Sequence, residues 1–249
     1  MAELALRTRL ALQLQRVVVA TLAPLWAPAL AVGMRLVLRW RIEGAREARA
    51  EYARIRATSR APLLVCANHL TMVDSAIIAW ALGSPGWYLL HPSSLPWNVP
   101  DRANFASRWW QRILVYLMKC IPIPRGGDRA EVAGVLHRLA WLLARGDVGL
   151  VFPEGGRSRT GRVERATSTY GVGRILGLVP GCRVLCVHLR GEGQEAFSRA
   201  PRRGERFHVA LELFEPKSDA TGLRRSLDLT RQVIGRLADL EQGFFDARR

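Results

Sequence analysis

The apolar run Leu63-Leu64-Val65-Cys66-Ala67 stops at the polar turn Asn68-His69-Leu70-Thr71-Met72-Val73-Asp74, and a second apolar run, Ala76-Ile77-Ile78-Ala79-Trp80, follows at once. Consecutive apolar residues without polar alternation fit a strand buried on both faces, the environment of a parallel sheet. The segment therefore predicts a buried strand, a short turn and a helix. That unit puts the turn at the carboxyl end of a strand, where open α/β sheets place their sites. On one continuous helix His69 and Asp74 would stand roughly 140° apart, too far round to pair. With His69 ahead of the helix and Asp74 in its first turn, the chain folds back and the two can meet. A carboxylate that holds one imidazole nitrogen as N–H leaves the other free to take a proton from a hydroxyl. A structural histidine beside an aspartate helix cap is the plainer reading of the same pair.

The alternation continues along the chain. Helices are expected over 45–58, 74–82, 104–119, 129–144, 171–178 and 223–240, and strands over 63–67, 87–90, 120–123, 148–152, 184–189 and 207–214. In the 129–144 segment Val132, Val135, Leu136, Leu139 and Leu143 share one helical face,. Strands alternating with helices predict an α/β fold, a mainly parallel central sheet flanked by helices. Residues 1–41 read as a separate hydrophobic, membrane-associating helical segment and 42–249 as the α/β domain.

The N-terminal segment is unlike the rest. Residues 17–34 carry no charge, at the lower margin of length for a bilayer span, and Pro24 and Pro28 interrupt them,. Arg7, Arg9 and Arg16 precede the run and Arg35, Arg39 and Arg41 follow it, so the positive-inside rule gives no orientation. Two proline-broken amphipathic helices lying in the membrane interface fit best. A kinked helix packed on the domain and a single span are the alternatives. No small-residue site closes the run as a cleaved signal peptide requires.

With 249 residues, 49% of them hydrophobic, the chain can bury one substantial core, which excludes a disordered protein,. The formal net charge is +16, and only Lys119 and Lys217 are lysine. Such a surplus attracts nucleic acid, anionic membrane or an anionic substrate. Arginine suits phosphate because its planar fork meets two oxygens at once. A non-enzymatic basic protein that binds nucleic acid or anionic membrane is the alternative reading of this charge, although no nucleic-acid motif accompanies it. Cys66, Cys120 and Cys186 sit in apolar runs. Cys182, Cys186, His188 and His208 match no common zinc spacing.

Eighty residues beyond Asp74 stands Val151-Phe152-Pro153-Glu154-Gly155-Gly156-Arg157-Ser158. A strand breaks there at a proline, and paired glycines let backbone N–H groups approach an anion. Between the two blocks lies Ile121-Pro122-Ile123-Pro124-Arg125-Gly126. Taken in order, the three blocks resemble the glycerolipid acyltransferases, the family of 1-acylglycerol-3-phosphate acyltransferase, over about residues 62–190. The resemblance implies His69 as general base oriented by Asp74. It implies Arg125, Gly126, Glu154, Gly155 and Arg157 as residues for the acceptor's phosphate-bearing head group. Acyl-CoA or acyl carrier protein would donate the chain to a lysolipid acceptor, foremost 1-acylglycerol 3-phosphate, with no metal and no further cofactor. The protein would work at the cytoplasmic face of an anionic membrane, monotopic or peripheral, without binding nucleic acid. Three departures bear on the acceptor: Gly156 stands where the family usually has threonine, and no lysine occurs in Ser168-Thr169-Tyr170-Gly171 or in His91-Pro92-Ser93-Ser94. An apolar tunnel is required for the acyl chain, with Trp97, Trp109 and Trp110 as candidates to line it or to meet the membrane. A hydrolase using the same His69 and Asp74 lacks a Gly-x-Ser-x-Gly elbow in this chain.

Overall fold

The computed structural model describes residues 4–166 and 169–248. Ser168, in the lysine-free stretch 168–171, lies outside them. Strands β1 (Arg41–Glu43), β2 (Leu63–Ala67), β3 (Trp97–Asn98), β4 (Val148–Val151), β5 (Arg183–Gly191) and β6 (Arg206–Phe214) form one sheet in the order β1-β6-β5-β2-β4-β3. Every neighbouring pair is parallel except β5 and β6. Central β2 is buried along its whole length, as its unbroken apolar run demands.

Side chains alternate across the sheet and divide the interior in two. Leu64, Cys66, Val184 and Cys186 point to one face, covered by α7 (Arg129–Leu143), α8 (Gly171–Leu178) and α9 (Gly222–Asp246). Leu63, Val65, Ala67, Leu185 and Val187 point to the other, covered by α2 (Ala45–Thr58) and α3 (Asp74–Leu82). Truncating a fully buried residue such as Ile77 or Leu139 to alanine is expected to cost about 2–5 kcal/mol,.

The N-terminal segment is one helix, α1 (Leu6–Val32), continued by a π-helical turn, Gly33–Val37. The two expected shorter helices are not formed. Pro24 and Pro28 lie inside α1, four residues apart, so the backbone bonds they remove fall on one side while the other side stays intact. Leu6–Val37 is long and apolar enough to cross a membrane. Leu12 nevertheless joins the α7–α9 core and Met34 the α2–α3 core.

Three other expectations change. Residues 87–90 are helical, within α4 (Pro85–Leu90), because Ser84 accepts the Trp87 N–H at 3.2 Å and Pro85 opens the first turn,. The 104–119 helix is split into α5 (Arg102–Phe105) and α6 (Trp109–Leu117). Residues 120–123 contribute only two isolated bridges, Asn98 with Cys120 and Asp101 with Ile123, beside the edge strand β3. Short β1 and β3 carry too few residues for a period to show.

Candidate active site

Asp74 is the first residue of α3, yet its hydrogen bonds reach backwards. Its Oδ2 accepts the Leu70 N–H at 2.6 Å and the Thr71 N–H at 2.7 Å, and faces His69 Nδ1 at 3.0 Å. Its Oδ1 accepts the Thr71 hydroxyl. The carboxylate thus ties off the turn that carries His69, while the helix N-cap position belongs to Val73. A carboxylate oxygen only accepts, so Nδ1 carries the proton and Nε2 is the basic nitrogen.

The glycine-rich block grips the same histidine. Glu154 Oε1 accepts the His69 N–H at 3.0 Å, and the Ser158 N–H donates to the His69 carbonyl at 2.8 Å. Phe152 stacks on the imidazole, centroids 4.0 Å apart and planes 15° from parallel. Ahead of the turn, the Asn68 amide exchanges two bonds with the Leu189 backbone, 2.8 and 3.0 Å, and so fastens the end of β2 to β5. Thr71 and Phe152 received no role from the sequence. Thr71 lies within the motif, but only the fold shows that its hydroxyl serves Asp74.

Glu154 was expected at the head-group site, and the structure gives it another contact. It is buried, and burial pushes its carboxyl up to about 7 against the opposing pull of the His69 N–H. A buried carboxyl that holds a backbone N–H fixes the turn, and beside a phosphate it would repel. Gly155 has φ +69°, and a Cβ there would stand 2.6 Å from Thr169 Cγ2, so glycine is required twice over. Gly156 has no heavy atom within 4 Å of its Cβ position, so a Cβ there would meet no obstacle.

Arg157 is half-buried, donates from Nη1 to the Ser198 carbonyl at 3.2 Å, and lies over the Phe197 ring at 5.3 Å. Arg125 is exposed and shares a cavity wall with His69. Gly126 has φ +69° with open space around its Cβ position, so it serves the backbone bend rather than making room beside Arg125.

That cavity, about 240 Å³, runs between α1 and α3. Val19, Ala23 and Trp26 form one wall and Ala76 and Trp80 the other, with His69 and Phe152 among the lining residues. Of the tryptophans named as candidates to line a tunnel or to meet the membrane, none lines this cavity: Trp97 is fully buried in the core, while Trp109 and Trp110 lie exposed on α6, as a membrane contact would require. Polar pins hold α1 over the cavity. The Gln15 amide donates to the carbonyls of Tyr116 and Cys120 at 3.0 and 3.1 Å, and Arg16 stands 3.6 Å from Asp147. Lys119, also at the wall, donates to the Pro92 and Leu95 carbonyls and to Asp147 Oδ1, at 2.9, 2.7 and 3.2 Å. Burial pushes this ammonium down to about 8, and Asp147 opposes that. Outward, α1 exposes Leu6, Leu10, Leu14, Val17 and Leu25, and α6 exposes Trp109, Ile113 and Leu114.

Among the described residues no cluster of histidine, cysteine, aspartate or glutamate could hold a metal ion. The four cysteines are free and buried. A search of curated proteins found no match to the chain. A family model described as Acyltransferase matches residues 41–188, well over half of the sequence. His69, Asp74, Arg125, Glu154 and Arg157 all fall inside that match, and with it the chain belongs to the acyltransferase family.

Proposed function

We propose that this acyltransferase esterifies the free hydroxyl of a lysolipid, with 1-acylglycerol 3-phosphate as acceptor and phosphatidic acid as product. The observation that carries the reading is the His69–Asp74 pair at 3.0 Å, with His69 on the wall of an apolar cavity. His69 Nε2 takes the proton of the acceptor hydroxyl as that oxygen attacks the carbonyl of an acyl thioester, supplied by coenzyme A or acyl carrier protein. Asp74 holds Nδ1–H and stabilises the imidazolium that forms. Collapse of the tetrahedral adduct breaks the carbon–sulfur bond, and the imidazolium returns its proton to the departing thiolate. The acceptor oxygen is the nucleophile, so no acyl group passes through the protein.

The cavity between α1 and α3 suits an acyl chain: it is apolar and His69 is on its wall. Arg125 and Arg157 are the cations for the head group. The apolar outer face of α1, flanked by arginines, suits an interfacial position at the cytoplasmic side of an anionic membrane. A different lysolipid acceptor is the second reading. It draws on Gly156 and on the absence of lysine from 91–94 and 168–171, since fewer cations suit a zwitterionic head group.

The test is thiol released from acyl-CoA, and separately from acyl carrier protein, by purified protein in detergent with a panel of lysolipids. Acceptor-dependent release that vanishes in His69→Ala is expected, fastest with the phosphomonoester. Fastest release with a zwitterionic acceptor moves the assignment to the second reading. Silence with both donors and every acceptor refutes the transferase.

A further inference from the structure

The connection from β5 to β6, residues 192–205, lies beyond the residues that match the family. Because β5 runs parallel to β2 and β6 returns antiparallel, this connection emerges at the edge of the sheet where His69 stands. Its middle pairs with the catalytic turn: the Ser198 N–H donates to the Leu70 carbonyl at 3.1 Å, and the Met72 N–H donates to the Arg199 carbonyl at 3.2 Å. The carbonyl of the same Ser198 accepts from Arg157 at 3.2 Å, and the Phe197 ring lies against the Arg157 guanidinium. Phe197 is 47% exposed. Core packing does not explain its ring, and its cationic neighbour does.

One short segment therefore touches both halves of the site. We propose that Phe197 and Ser198 are positioning residues that hold Arg157 at a fixed reach from His69, so that the acceptor's phosphate is measured against the base. This rests on the reading of Arg157 as a head-group cation. A free arginine side chain samples many rotamers and loses them on binding a phosphate. Here one carbonyl and one ring restrict it beforehand, while the other N–H groups of its fork remain available for oxygen. The strap is itself anchored to the exit of α1, where the Gly204 N–H donates to the Leu38 carbonyl at 2.7 Å and Trp40 Nε1 to the Arg202 carbonyl at 2.8 Å.

The test compares Phe197→Leu with wild type by thiol release, using 1-acylglycerol 3-phosphate and a monoacylglycerol of the same chain length. Leucine keeps an apolar side chain and removes the ring face, and at an exposed position it leaves folding intact. KM for the phosphate-bearing acceptor should rise roughly three- to tenfold, the scale of a partly exposed cation–ring contact. The kcat and the KM for monoacylglycerol should hold, Phe197→Tyr should restore the wild-type KM, and Phe197→Leu should add nothing in an Arg157→Ala background. An equal KM rise for both acceptors overturns the proposal, as does an effect that persists without Arg157 or a variant indistinguishable from wild type. If wild type uses monoacylglycerol and refuses the phosphomonoester, the head-group reading falls first and takes this positioning role with it.

Discussion

Two histidines stand at the level where β2 ends, on the paths of adjacent strands, and face opposite sides of the sheet. His69 follows β2, beside the α1–α3 cavity, while His188 is inside β5 and lies under α9 among the residues that cover the other face. His69 sits on a turn with one nitrogen held by Asp74 and the ring at a cavity wall. His188 is 1% exposed, its Nε2 has no hydrogen-bond partner, and Glu241 Oε1 is 3.9 Å away. Burial, with Arg190 and Arg248 nearby, pushes that imidazole down to about 3, so it stays neutral where the protein works. The contrast separates packing from chemistry. A histidine on a strand is closed off by its neighbours, whereas one on a turn just past a strand can have one nitrogen fixed and the other offered.

The sharpest way to break the comparison is to remove each ring. His69→Ala should cut kcat by at least about 10²–10⁴-fold, the usual worth of a positioned general base. His188→Gln, which fills much the same space, should leave kcat within about threefold, since a residue outside the reacting set does not touch the barrier. Thiol-release rates for both variants decide it, and comparable losses would end the distinction.

Next in size is the partner. Asp74→Asn can keep an oxygen for the Leu70 and Thr71 N–H groups and for His69 Nδ1–H, but it no longer supplies the negative charge that stabilises an imidazolium,. A kcat loss of ~10²-fold with KM unchanged is expected. The free energy of unfolding should fall by about 1–3 kcal/mol, because a buried bond is weakened; denaturant titration measures that part separately. If activity falls only in proportion to the folded fraction, Asp74 is a structural cap after all.

Smaller still is the response of the glycine pair on the His69 side. Gly155→Ala forces a Cβ at φ +69°, 2.6 Å from Thr169 Cγ2, and should cost about 1–2 kcal/mol. Gly156→Thr enters open space and should change stability by less than about 0.5 kcal/mol. Equal thermal shifts in the two variants would contradict the difference in their surroundings.

How much of this was legible without coordinates follows from range. The β2–turn–α3 unit and the His69–Asp74 pair could be read because everything that defines them lies between Leu63 and Leu82. Helix α7 and strands β4, β5 and β6 were equally plain, since burial writes a period into consecutive residues. What failed had causes outside the window read. Residues 87–90 look like a strand by composition, and only Ser84 and Pro85 ahead of them set a helix. The prolines of α1 look like breaks, but the helix continues through both and packs onto the two cores. Glu154 carries a motif position, yet its contact with the His69 backbone depends on β2 and β4 lying side by side. Phe197 and Ser198 gave no signal at all: their partners are backbone atoms and an arginine some forty residues or more away, and backbone pairing leaves no residue pattern.

The finest test of the contrast between the two faces is the dependence of stability on pH, where they should act with opposite signs. The folded-state value of His188 lies below its ordinary 6.5, at about 3, so the unfolded chain takes up the proton first. Its contribution is complete above pH 6.5 and is lost as the pH falls towards 3. Glu154 is displaced the other way, from 4.5 to about 7, so the folded chain holds the proton more tightly. Its contribution is complete below pH 4.5 and is lost as the pH rises through 7. Between pH 7 and 5, acidification weakens the α9 face through His188 and strengthens the active-site face through Glu154. The two largely offset one another in wild type, so the melting temperature should rise on acidification from pH 7 to 5 in His188→Gln and fall in Glu154→Gln, by a few degrees on a scale of about 2–4 °C per kcal/mol,. A His188→Gln variant that kept the wild-type slope would show the ring exchanging protons with solvent, and the closed histidine would then be no more closed than His69.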